Sequence, residues 1–184
     1  MAAPDSERDD TMTLPTDPWF PHAPAQDGVL VVCFPFAGGS AAFFKPWIAP
    51  ARELGLALMP VELPGRGLRL GEPALRGTEA VAEALGPVLR ARLDRPWVLF
   101  GHSLGALLAF EVARHLRRRY ALDPTLLVVS GRHPPHGVRD PAGFRHALPL
   151  PQLARALAGL NGTAPEVLAH EELLDLLAPS LRAD

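Results

Sequence analysis

The sequence predicts an α/β protein: a mostly parallel sheet with helices on both faces. Three observations carry that prediction. Short apolar runs alternate with stretches of helix-spaced apolar residues across residues 28–147. The runs are apolar at nearly every position, as strands covered on both faces must be. The pentad Gly101-His102-Ser103-Leu104-Gly105 joins one such run, Trp97–Phe100, to a long helical stretch.

Residues 1–27 are rich in Pro, Asp and Ala without periodicity, which predicts a mostly disordered N-terminal tail. Within it, Trp19-Phe20 is the pair suited to dock on a core. The first strand is Val29–Phe34, apolar on both faces and therefore central. A loop, Pro35-Phe36-Ala37-Gly38-Gly39-Ser40, leads to a helix with Phe43, Phe44, Trp47, Ile48 and Ala51 on one broad face, stopped at Gly55. A second strand runs from about Leu56 to Leu63 into Pro64-Gly65-Arg66-Gly67. Val81, Leu85, Val88, Leu89 and Leu93 then fall at helical spacing, with Pro87 bending the helix. After the pentad, a helix is apolar almost all round to Ala113 and basic at Arg114, Arg117, Arg118 and Arg119. That basic end reads as solvated, and the helix dipole favours it there. A fourth strand, Thr125–Ser130, closes on Gly131-Arg132. Residues 148–184 carry amphipathic helical patterns with no strand between them, and read as a helical lid segment.

Composition narrows the function classes. A chain of 184 residues with 48% hydrophobic and 21% charged residues supports one domain with a substantial core. A formal net charge of −2 argues against a nucleic-acid binder. No apolar run reaches membrane-spanning length, and the polar, acidic start lacks the features of a secretory signal. Cys33, the single cysteine, lies inside an apolar strand. A cytoplasmic, disulfide-free monomer with no cofactor and no metal is the expectation.

The pentad is Gly-x-Ser-x-Gly at a strand-to-helix turn, the nucleophile elbow of an α/β-hydrolase. Ser103 is the nucleophile in this reading. Its hydroxyl needs a base to take its proton, and an oxyanion hole needs two backbone N–H donors. Leu104, the residue after the serine, supplies one. The other comes from the first strand-to-helix loop, where Gly38-Gly39 permits close approach. Ala37 is the preferred donor there and Phe36 the alternative. Phe36 and Arg66 are also candidate substrate contacts, and Arg66 serves equally well as a buried ion-pair partner.

No histidine fills the role of base. His22 and His102 stand outside the serine–acid–histidine order of this fold, and His115 lies some three turns along the helix. His146 and His170 have no acid at a telling spacing. His133 and His136 leave the carboxyl end of the fourth strand on the correct side of the sheet, but a base must be held by an acid, and a Pro-rich loop reads as solvated. Asp140, Asp175 and Asp184 have no supporting context as the acid.

These motifs resemble the type II (editing) thioesterases that accompany nonribosomal peptide and polyketide synthases. The resemblance rests on Cys33–Ala41, on Leu63-Pro64-Gly65-Arg66 and on Gly101–Gly105. Ser130-Gly131-Arg132, Gly162–Leu168 and Leu181-Arg182-Ala183-Asp184 add to it. It implies hydrolysis of acyl groups from the phosphopantetheine arm of acyl or peptidyl carrier proteins. It also implies that the catalytic Asp and His follow later strands, so the C-terminal strands and both residues are expected to be missing from this chain. A general carboxylesterase or acyltransferase on the same scaffold is one alternative. A catalytically dead fragment or carrier-binding pseudo-hydrolase is another.

Overall fold

The computed structural model describes residues 17–134, 148–158 and 171–184. Four strands form one sheet in the order β2-β1-β3-β4, with every pair parallel. They are β1 (Val29–Phe34), β2 (Leu56–Pro60), β3 (Trp97–His102) and β4 (Leu126–Ser130). The helices are α1 (Lys45–Glu53), α2 (Thr78–Arg90), α3 (Leu104–Tyr120), α4 (Leu150–Ala158) and α5 (Glu171–Ala183). Among the described residues, no helix is long and apolar enough to cross a membrane.

Alternation along the strands divides the core in two. Leu30, Val32, Phe34, Met59 and Leu99 face α2 and α3, meeting Leu85, Leu89, Leu108 and Val112. Val31, Cys33, Leu58 and Phe100 point the other way, toward Phe44, Ile48 and Ala51 of the α1 side. This is the two-layered cover that apolar-throughout strands require. Burial pushes the Cys33 thiol up to about 12. β4 is the less protected edge, with Leu126 and Val129 more than half exposed.

Three details depart from the sequence pattern. The second strand ends at Pro60 rather than Leu63. Val61 still donates to Cys33 O at 2.9 Å, but Glu62 N–H turns away to Trp19 O at 2.8 Å. The segment around Trp19 thus takes over the ladder, and both Trp19 and Phe20 are buried. Second, the first helix opens as a 3₁₀ turn, Ala41–Phe44. Phe43 and Trp47 pack on the buried Phe44 but remain 46% and 44% exposed. Third, α3 begins at Leu104, directly after the serine, and ends at Ala121 in a left-handed cap.

Residues 17–27 run along the core, with Asp17 paired to Arg92 and Ala25 O accepting from Arg95. Residues 1–16, the rest of the predicted tail, lie outside the described residues. So do His136, Asp140, His146, Leu160, His170 and the stretch Gly162–Leu168. α4 and α5 touch one another and bury Leu153, Leu174 and Ala178.

Candidate active site

Ser103 sits at the turn between β3 and α3 with φ 55° and ψ −114°. A residue with a Cβ rarely adopts positive φ, and holding it there costs about 1–3 kcal/mol. Its neighbours explain how the turn closes. A Cβ on Gly101 would lie 2.0 Å from Gly105 O, and one on Gly105 would lie 2.2 Å from Phe34 O and 2.7 Å from Pro35 O. The first turn of α3 therefore rests directly on the backbone where β1 enters its loop. Ser103 N–H donates to Ser130 O at 2.8 Å, which fixes the turn against β4.

This packing sets the start of α3 against the entry to the first loop, the two elements on which the oxyanion donors are expected. Phe36 to Gly39 form a tight turn, with Gly39 N–H donating to Phe36 O at 2.9 Å and Gly38 at φ 72°. The Ala37 and Leu104 N–H groups make no hydrogen bond to another described residue. Leu104 opens a helix of 17 residues, whose N-terminal dipole favours negative charge beside Ser103. Phe36 stacks edge-to-face on Phe43, with centroids 5.0 Å apart. The pair starts an aromatic row that continues through Trp47 to Phe100.

Arg66 is an ion-pair partner in this structure. Its Nη2 and Nη1 reach Asp184 Oδ1 and Oδ2 at 2.5 and 3.0 Å, and the two side chains are 4% and 6% exposed. Asp184 Oδ2 also accepts the Gly38 N–H at 2.9 Å. One carboxylate thereby joins the first loop, the Pro-Gly-Arg loop and the end of α5. Below it lies a pocket of about 50 Å³ between Leu63, Leu75, Val81, Leu104 and Leu108, with Thr78 at its wall. That is room for a few water molecules or a short chain.

Sequence reasoning missed Glu62, which is 1% exposed. Its Oε1 accepts Ala41 N–H at 3.3 Å and its Oε2 accepts Leu68 N–H at 3.4 Å, tying the same two loops from the opposite side. A Cβ on Gly67 would fall 2.4 Å from Oε2. Burial raises the Glu62 carboxyl above the ordinary range, opposed by the Ala41 and Leu68 N–H groups and by Arg66 and Arg69. The signal available was Glu62 with Arg66 and Arg69 at +4 and +7, a charge cluster inside a run that otherwise reads as a strand.

The remaining titratable groups are dispersed. His102 Nδ1 lies 3.1 Å from Ser130 Oγ, and its ring covers Gly131. His133 is exposed, and His115 is packed against Gly86 and Tyr120 along α3. Among the described residues, no histidine side chain is hydrogen-bonded to Ser103.

Comparison with known proteins matches this geometry to a family. The thioesterase domain family matches residues 30–184. Linear gramicidin dehydrogenase LgrE of Brevibacillus parabrevis is 39% identical over 167 residues, covering 89% of this chain and 63% of LgrE. The type II thioesterase BorB from the borrelidin biosynthetic cluster superposes with a TM-score of 0.75 at 37% identity, covering 91% of this chain and 68% of BorB. RedJ, a thioesterase from the prodiginine pathway of Streptomyces coelicolor, gives 0.75 at 40% identity, covering 90% and 68%. The chain thus spans less than two thirds of the length of LgrE. From the family match over most of its length, the chain belongs to the thioesterase domain family.

Proposed function

We propose that this chain carries the nucleophile of a thioesterase that cleaves acyl groups from the phosphopantetheine arm of carrier proteins. The observation that carries the reading is Ser103, held at φ 55° on the β3–α3 turn of a thioesterase domain. Ser103 Oγ attacks the thioester carbonyl as its proton passes to a base that is not found among the described residues, and the Ala37 and Leu104 N–H groups receive the oxyanion. Collapse breaks the C–S bond, the pantetheine thiolate leaves with that proton, and water then hydrolyses the acyl-serine. The dipole of α3 adds to that stabilisation. Phe36 borders the entry for the acyl arm. Arg66 serves through its ion pair with Asp184. BorB and RedJ are named as thioesterases of biosynthetic clusters, which supports an editing role in antibiotic biosynthesis and a carrier protein as partner. The protein acts as a monomer in the cytoplasm.

LgrE is named a dehydrogenase, whereas the family match over residues 30–184 and the Ser103 elbow favour thioester hydrolysis for this chain.

The test is turnover of acyl-pantetheine thioesters against oxygen esters of equal chain length, together with fluorophosphonate labelling. Label on the wild-type chain and not on Ser103→Ala supports an activated Ser103. Faster turnover of the oxygen esters points to a carboxylesterase. Labelling equal to the alanine variant removes the nucleophile reading.

A further inference from the structure

We infer that Asp184 is a positioning residue for the oxyanion loop, coupling the seat of α5 to the orientation of the Ala37–Gly38 peptide. The inference rests on the serine-nucleophile reading above. Phe36–Gly39 is a four-residue turn closed by Gly39 N–H to Phe36 O, with a positive φ only at its third residue, Gly38. That is the type II arrangement. Types I and II share the closing hydrogen bond and differ by a flip of the central peptide, here Ala37–Gly38. The closing bond alone therefore does not choose between them, and glycine at the third position lowers the barrier to either.

Asp184 makes the choice. Its Oδ2 accepts the N–H of that central peptide at 2.9 Å. A flip would replace this N–H with the Ala37 carbonyl, facing a carboxylate. It would also change ψ of Ala37 and turn a carbonyl dipole within one residue of the N–H meant for the oxyanion. Arg66 holds the carboxylate in place with two hydrogen bonds, and the two side chains are almost wholly covered. Buried charge-assisted bonds of this kind are short, directional and costly to break. Asp184 directly follows the last residue of α5, and Leu181 Cδ2 lies 3.0 Å from where a Gly38 Cβ would stand. When α5 lifts, Gly38 loses its acceptor and its cover together. The donor geometry is thus set only when α5 is seated.

The experiment compares wild type, Asp184→Ala and Asp184→Asn in the full chain, at a temperature well below every unfolding midpoint. The readouts are the rate of fluorophosphonate acylation of Ser103 and hydrogen exchange at the Gly38 amide. Asp184→Ala is expected to slow acylation about tenfold or more and to expose the Gly38 amide. Asp184→Asn keeps an amide oxygen for Gly38 N–H while weakening the Arg66 pair, so it should fall between, and it keeps the test open if the alanine variant does not fold. Unchanged acylation with a labelled wild type would overturn the inference, because a merely structural Asp184 would move the midpoint alone. A wild type that takes no label defeats the nucleophile reading instead. The Gly38 amide then decides: protection lost in Asp184→Ala supports the tie, and equal exchange in both chains refutes it.

Discussion

The backbone N–H of Ser103 is bonded to the carbonyl of Ser130, so the strained serine is braced by the strand beside it and not by its own side chain. Strain held by surrounding structure is stability given up for geometry. Replacing Ser103 with Gly should return part of it. We expect Ser103→Gly to be about 1 kcal/mol more stable than Ser103→Ala, since alanine keeps the Cβ at positive φ. Denaturant titration of the two variants measures the difference. A glycine variant no more stable than the alanine one would show that the turn stores no strain.

The two pentad glycines serve packing, and Gly105 gives the sharper test. A methyl group there meets two backbone carbonyl oxygens, which have no rotamer to adopt. Gly105→Ala should cost about 3 kcal/mol by overpacking. Gly71→Ala, with nothing within 4 Å, is the control and should stay within about 0.5 kcal/mol of wild type. Equal unfolding midpoints for the two variants would contradict the contact.

Glu62 predicts a pH dependence. Its carboxyl is raised in the folded state, chiefly by burial. A raised acid binds its proton more tightly when folded. Its stabilising contribution is therefore complete below the unfolded carboxylate value, about 4.3, and is lost as pH rises through the folded value. Glu62→Gln has no such proton. The stability of wild type relative to Glu62→Gln should be greatest near pH 4 and decline toward neutrality. Thermal melts of both chains across that range provide the check, and a gap that widens with pH would reverse the assignment.

Cys33 should be silent toward thiol reagents in the native state. The thiolate is the reactive form, and burial pushes this thiol up to about 12. At pH 8 a disulfide reagent should modify none of the native protein and, after addition of denaturant, the single thiol per chain. Rapid modification without denaturant would mean that the sheet face carrying Cys33 opens readily.

Local features were legible in the sequence and convergent ones were not. The elbow could be read because Gly101, Ser103 and Gly105 fall within five residues, and the central strand because Val29–Phe34 has no polar face. Trp19-Phe20 stood out as the apolar pair in a polar segment. Glu62 did not, because a lone carboxylate between Val61 and Leu63 matches a strand with one solvated face. Its burial arises only when Ala41 and Leu68 close over it. The bond between Arg66 and Asp184 spans 118 residues, a distance at which no periodicity operates. The Phe43–Ala51 face was legible from its apolar spacing, but that spacing does not say that the first turn, Ala41–Phe44, winds as 3₁₀.

The place of β1 at the centre of the sheet has a consequence for how the chain folds. Its residues pair with Leu56–Pro60 on one side and Trp97–Gly101 on the other. The first pairing closes a short loop through α1, while the second waits until α2 and β3 have been made. At roughly 5–20 residues per second of synthesis, that wait is about 2–8 seconds for the intervening stretch of about forty residues. Through it, an apolar strand has a partner on one edge only. Parallel pairings of this span are slow to close and prone to aggregate. Expression at low temperature or with added chaperone should therefore raise the soluble yield by acting on the interval before β3 arrives, without changing the stability of the finished fold.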